Sequence, residues 1–240
     1  MRLQKLHSMT RILFLLALLI IVSSCSKNEN EMILTGSIKG LKKGTIILER
    51  IGDTSLIRLD SVVIDGDPTF TIVEEIAEPE MLYLYLRLKN GELLDERIPF
   101  FAESSEINIT TTLENFGNVY EISGSINQDQ AKDYNKVMNR YIDKNLELIK
   151  NELTAAKNGD DSLVIAYQKQ RQNHISSKYL AAINFAKNHP DSELAPYIMI
   201  TDAKEVNVKY LDTVYNALSP KIKDSKYGKD LESLIAKRKE

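Results

Sequence analysis

Cys25 is the single cysteine of the chain, and it follows Val22-Ser23-Ser24 at the end of an aliphatic run that begins at Ile12. Small residues just upstream of a thiol suit the shallow pocket of a lipoprotein signal peptidase, after which the thiol carries a diacylglyceryl group in thioether linkage. Arg2, Lys5 and Arg11 supply the charged head, so residues 1–24 have the three-part layout of an export signal. A membrane-spanning helix needs about 20 apolar residues, and this run has roughly half of that. Each buried methylene of a lipid chain contributes about 0.8 kcal/mol, so one chain holds marginally while two or three, palmitate among them, hold for good. The expectation is a leader over 1–24, lipid on Cys25, and residues 25–31 as a polar tether. That places the protein in the cell envelope as an outer-membrane lipoprotein, periplasmic or surface-exposed.

With its thiol committed to lipid, the chain has no cysteine for disulfide exchange, thiolate attack, zinc or iron–sulfur ligation. Two histidines follow the leader, His174 on a polar helical stretch expected to be solvated and His189 before Pro190, expected to hydrogen-bond at a helix cap. Neither has the short His/Asp/Glu spacing of a metal site, so no metal and no cofactor are expected. The neighbouring carboxylates Glu74-Glu75 point to opposite faces of a strand, and Asp160-Asp161 read as a helix cap, which leaves no acid–base pair and no catalytic residue to name. Removing a leader that holds three basic and no acidic residues takes the formal net charge from −3 to −6. Nucleic acid is therefore not an expected partner; Lys237-Arg238-Lys239 read as cations at the negative end of a helix dipole. One constellation remains. Tyr83 and Tyr85 share a strand face with Arg87, a flat arrangement suited to a sugar ring or a protein partner, although the same face equally suits packing beneath helices.

The elements that must position these residues come in two kinds. Residues 32–126 show short apolar segments at period two, divided by Gly, Asn, Asp and Pro. They predict about eight strands, at 33–38, 45–51, 56–64, 70–75, 81–88, 93–101, 106–112 and 119–122. In the fifth, Leu82, Leu84, Leu86 and Leu88 alternate with Tyr83, Tyr85 and Arg87, and Asn90-Gly91 then turns the chain. From 127 to 240 the period changes. Tyr134, Met138, Ile142, Leu146, Ile149, Leu153 and Ala156 form one apolar stripe on a helix of about 30 residues, roughly 45 Å long. Asn158-Gly159-Asp160 stops it and caps a second helix to about residue 188, with Ile175, Tyr179, Ala182 and Ala186 inward. Shorter helices follow at about 192–203, 209–218 and 229–237. The fold class is α+β: an antiparallel β-sandwich, then a long helical hairpin and shorter C-terminal helices.

Several short landmarks recur in a known order: Asp60-Ser61, Asp65-Gly66 ahead of Phe70, Pro79 ahead of an apolar strand, Phe100-Phe101-Ala102-Glu103, Ile122-Ser123-Gly124-Ser125, and His189-Pro190-Asp191-Ser192. Together they resemble the domain of unknown function 4369, a Bacteroidetes envelope family that typically precedes a thioredoxin-like, TlpA-type domain in lipoproteins. Asp67-Pro68-Thr69 departs from the family's usual short polar turn. A thioredoxin-like domain with Cys-x-x-Cys begins in longer relatives about where Glu240 stands here, so the resemblance carries that redox activity to no residue of this chain.

These readings converge on a lipid-anchored, non-enzymatic envelope protein that binds or scaffolds an envelope protein or glycan, attached to the membrane through Cys25. The alternative is an accessory subunit that presents substrate to a separately encoded thioredoxin-like redox protein.

Overall fold

A computed structural model describes residues 30–52 and 55–240; Cys25, the leader and residues 25–29 of the tether lie outside the described residues. Within them are eight strands: β1 (Glu31–Lys39), β2 (Lys43–Ile51), β3 (Leu56–Asp65), β4 (Thr69–Glu75), β5 (Glu80–Leu88), β6 (Ile98–Ala102), β7 (Glu106–Thr112) and β8 (Tyr120–Ser123). They form two four-stranded sheets, ordered β4-β1-β7-β8 and β3-β2-β5-β6. Alternation decides which side chains meet between the sheets. Leu34, Ile72, Leu82, Leu84, Leu86, Phe100 and Ile107 are all essentially inaccessible there. The expected all-antiparallel pairing needs one correction, because β1 runs parallel to β7. β4 already occupies one edge of β1. The chain then crosses from β6 in the other sheet and enters beside Ile33, whose N–H donates to the Ser105 carbonyl, so no hairpin is available to reverse it.

β6 begins later than the sequence pattern implies. Leu93 makes only an isolated bridge to Arg87, and the exposed run Asp95-Glu96-Arg97 stays outside the ladder. The turn at Asn90-Gly91 forms as expected, with Gly91 at φ 90° and its N–H bonded to the Leu88 carbonyl.

Six helices follow among the described residues: α1 (Ile126–Lys157), α2 (Asp161–Asn188), α3 (Leu194–Thr201), α4 (Val208–Ala217), α5 (Pro220–Asp224) and α6 (Lys226–Lys239). Ser125 Oγ caps α1 through Gln128 N at 3.0 Å, and Asp160 Oδ1 caps α2 through Leu163 N at 3.0 Å. The helices pack on the outer face of the β3-β2-β5-β6 sheet. Phe101 points there while its neighbours Phe100 and Ala102 point into the sandwich, so one strand serves two cores. The helical core gathers Phe101, Tyr134, Met138, Ala182, Ile198, Leu211 and Leu231.

The stripe on α1 is not buried as a unit. Tyr134 and Met138 lie in the helical core, but Ile142, Leu146 and Leu153 are 46%, 58% and 66% exposed. The cause is helical geometry: α2 packs against Tyr141, Leu148, Glu152 and Ala155, about a quarter turn from the stripe. Ile175, expected inward, is likewise exposed, whereas Ala182 and Ala186 are buried and Tyr179 is half-buried.

Phe101 is fully buried and stands edge-on to Tyr197 and Tyr227, with ring centroids 5.6 and 6.1 Å away. Phe101→Ala is expected to cost about 3–5 kcal/mol in denaturant unfolding, since it empties the junction of sheet and helices; a cost under about 1 kcal/mol would show that this contact does not hold the two parts together.

Candidate functional site

A cleft of about 750 Å³ opens where the loops at one end of the sandwich meet α1, α3, α5 and α6. Its walls carry Glu78, Glu103, Glu193 and Asp224 against one lysine, Lys221. The structure gives most of these carboxylates a definite task. Glu103 follows β6, and its Oε1 accepts from the backbone N–H of Ile126 while its Oε2 accepts from Asn127 Nδ2 at 2.5 Å. Glu78 precedes β5 and accepts from the backbone N–H of Lys226. The Ile126 and Lys226 N–H groups are first-turn backbone amides, which a helix cannot satisfy internally and which sit at the positive end of its dipole. The sandwich thus caps α1 and α6 with its own acidic side chains.

Further bonds lock the same seam. Gln128 Oε1 accepts from the backbone N–H of Phe101 at 2.8 Å, joining α1 to β6. Tyr227 Oη accepts from the backbone N–H of Met81 at 2.9 Å, joining α6 to the start of β5. Glu80, 8% exposed, pairs with Lys226 and stands 3.5 Å from Arg50. Asn127 Oδ1 accepts from Ser192 Oγ at 3.2 Å, which ties α1 to the approach to α3. Burial pushes the Tyr197 and Tyr227 phenols well above their usual range, so both remain protonated and able to donate.

The proposed face of Tyr83, Tyr85 and Arg87 lies on this outer sheet surface. Tyr85 is only 6% exposed, and Arg97 donates to its Oη at 3.1 Å. The Arg97 guanidinium lies 4.7 Å from the Tyr83 ring centroid, a cation–π contact. Arg87 stays exposed at the far end of the strand. Both rings therefore lie against Arg97, with Tyr85 buried and Tyr83 half-buried. His189 acts at the C-terminus of α2, where Nδ1 meets the Phe185 carbonyl at 2.8 Å. His174 departs from its expected solvation: it is half-buried between α1 and α2, with Nε2 2.8 Å from the Tyr141 carbonyl, because its helical position faces α1. Glu74 is half-buried and Glu75 exposed. Lys239, in the basic end of α6, pairs with Asp212 at 2.8 Å. Among the described residues no three His, Asp or Glu side chains converge as a metal-ligand set, and no helix is long and apolar enough to cross a membrane.

Glu78, Glu103, Glu193 and Arg97 escape a reading of residue types and spacing. Glu103 stands 23 residues from the amide it caps and Glu78 stands 148 from its own, so no local pattern links them; the landmark Phe100-Phe101-Ala102-Glu103 was the available signal. Glu193 is 4% exposed, and its Oε2 accepts from Ser225 Oγ at 2.6 Å. Burial raises its carboxyl above the ordinary value of 4.5; Glu78 adds to the rise, while the Ser225 bond and Lys221 oppose it. Between the ordinary value and the folded one, the folded protein holds a proton that the unfolded chain has lost, so the associated stability, complete below about pH 4.5, is lost as pH rises through the folded value. Glu193→Gln keeps an acceptor for Ser225 and removes the charge. Denaturation midpoints of variant and wild type should coincide at acid pH, with the variant more stable at neutral pH; parallel curves throughout would contradict this assignment.

Comparison with known proteins adds one finding. No curated protein matches the chain. A family model, Domain of unknown function (DUF4369), matches residues 32–131. That span covers the sandwich from β1 to β8 and the opening turns of α1, and so includes Glu78, Glu103 and Phe101 on the sandwich side of the seam and Ser125 and Gln128 at the start of α1. The segment from Met32 to Ala131, which builds the sandwich and receives the helices, is a DUF4369 domain.

Proposed function

We propose that this protein is a lipid-anchored component of a bacterial cell envelope, of the Bacteroidetes type, that works by binding or scaffolding rather than by catalysis. The observation that carries the anchoring is Cys25, alone of its kind, placed behind small residues and an aliphatic run of leader length. What supports a binding role is how the most concentrated polar chemistry is used. Glu78 and Glu103 hold helix ends, Glu80 is tied to Lys226, and Glu193 is bonded to Ser225. A general acid or base must be free to reach a substrate proton, and these carboxylates are held by the fold. The partner is an envelope protein or a glycan, and the membrane is reached through the lipid on Cys25.

A second reading has the DUF4369 match in its favour. Because the family resemblance implies association with thioredoxin-like domains, the seam between sandwich and helices would orient a substrate for a separate redox protein. Crosslinked complexes containing a Cys-x-x-Cys protein would favour that reading, and their absence from complexes with other envelope components would favour scaffolding.

The anchoring is tested by feeding cells an alkyne fatty acid, with protease shaving of intact cells to report exposure. Wild type should incorporate the label and partition into detergent, and Cys25→Ala should lose the label entirely and retain its leader. A wild-type product with an unacylated N-terminus would remove the basis of the proposal.

A further inference from the structure

The hairpin of α1 and α2 extends beyond the helices that cover its base. Near the sandwich, Ala131, Tyr134 and Met138 of α1 and Ala182, Ile183 and Ala186 of α2 are buried in the helical core with α3 and α4. Farther out the same stripe continues without cover. Ile142, Leu146, Ile149 and Leu153 fall within an arc of about 60° at 3.6 residues per turn, and three of them are 46%, 58% and 66% exposed. On α2, Ile165 and Ile175 are 66% and 37% exposed.

These two sets lie on one side of the hairpin. The register is fixed by His174 meeting the Tyr141 carbonyl and by Arg171 and Gln168 meeting Glu152. On each helix the apolar set is offset from those contact residues in the same rotational sense. For two antiparallel helices, equal sense means the same side. The register also sets Leu153 beside Ile165 and Ile142 beside Ile175. The result is an apolar floor, bounded at one end by the shoulder of α3 and α4. Soluble monomers seldom leave such a contiguous patch uncovered.

We propose that this face binds the same face of a second copy of the chain. Residues 140–157 and 161–178 make a surface about 27 Å long and about 20 Å wide. Two such surfaces pressed together cover about 1,000 Å², the least that a specific interface requires. A partner must be two helices wide and as long as the uncovered half of the hairpin, and among the described residues every other helix is already packed against at least one neighbouring helix. The second hairpin meets both conditions by identity. A two-fold axis across the helices sets the α1 stripe antiparallel to its own copy, an isologous contact that closes on itself, and brings each tip toward the partner's α3–α4 shoulder.

Sedimentation velocity on the full chain in a density-matched detergent tests the proposal over about 1 to 100 μM, a range that detects micromolar or tighter self-association. Wild type should sediment as a dimer in the upper part of that range. Leu146→Glu/Leu153→Glu changes two exposed side chains and should dissociate at least ten-fold more readily while keeping the wild-type circular dichroism. Leu180→Glu, at a position 48% exposed but facing away from α1 and outside the floor, should dimerise like wild type. A wild-type monomer at the highest concentration, a double variant that dimerises as tightly as wild type, or equal loss in Leu180→Glu would each overturn the proposal.

Discussion

The first-turn amides of α1 and α6 need acceptors from outside their own helices, and the sandwich supplies them. The residue before a helix can cap one of its first-turn amides, as Ser125 does for Gln128 N, Asp160 for Leu163 N and Ser225 for Gly228 N. Ile126 and Lys226 instead take carboxylates from two loops at one end of the sandwich, Glu103 and Glu78. Because an N-terminal amide points along its helix axis, a cap of this kind fixes both where a helix begins and the direction in which it leaves. The orientation of the hairpin and of α6 against the sheet follows from those two points, with Phe101, Tyr197 and Tyr227 filling the space between.

That arrangement gives the acidic side chains of the seam a structural task. Of the carboxylates gathered in the cleft, Glu78 and Glu103 are bonded to helix-end amides that would otherwise be left unsatisfied, and Glu193 is bonded to Ser225. The same arrangement explains the glycine in Ile122-Ser123-Gly124-Ser125. At φ 95°, and with a Cβ that would lie 1.9 Å from the Glu106 carbonyl oxygen, Gly124 lets the chain pass tightly between β8 and the cap residue of α1. The matched family span ends just inside α1, so it takes in the sandwich and both loop carboxylates but little of the hairpin.

Much of the architecture was legible in residue order because it rests on local periodicity. Leu82, Leu84 and Leu86 announce a strand with one buried face, and Asn158-Gly159-Asp160 announces the turn between two helices. What was not legible depends on distance along the chain. Alternation shows that Phe100 and Phe101 face opposite ways, but not that the second is met by Tyr197 and Tyr227. The parallel pairing of β1 with β7 follows from an edge already taken by β4. The apolar stripe on α1 was visible as a stripe, yet its extent of burial was set by how far α3 and α4 reach along the hairpin. Tyr83 and Tyr85 were correctly placed on one strand face; that Arg97 would lie against them follows from an irregular segment with no period of its own.

Native-state hydrogen exchange resolved by residue tests most directly whether the two loop carboxylates dock the helices onto the sandwich. In a Glu78→Ala/Glu103→Ala variant, amides at the start of α1 and through α3 and α6 should lose protection by roughly ten-fold or more, the scale of a lost cap. Strands β1, β2 and β5 should keep theirs. Unchanged protection in the helices, or an equal loss throughout the sandwich, would contradict the account.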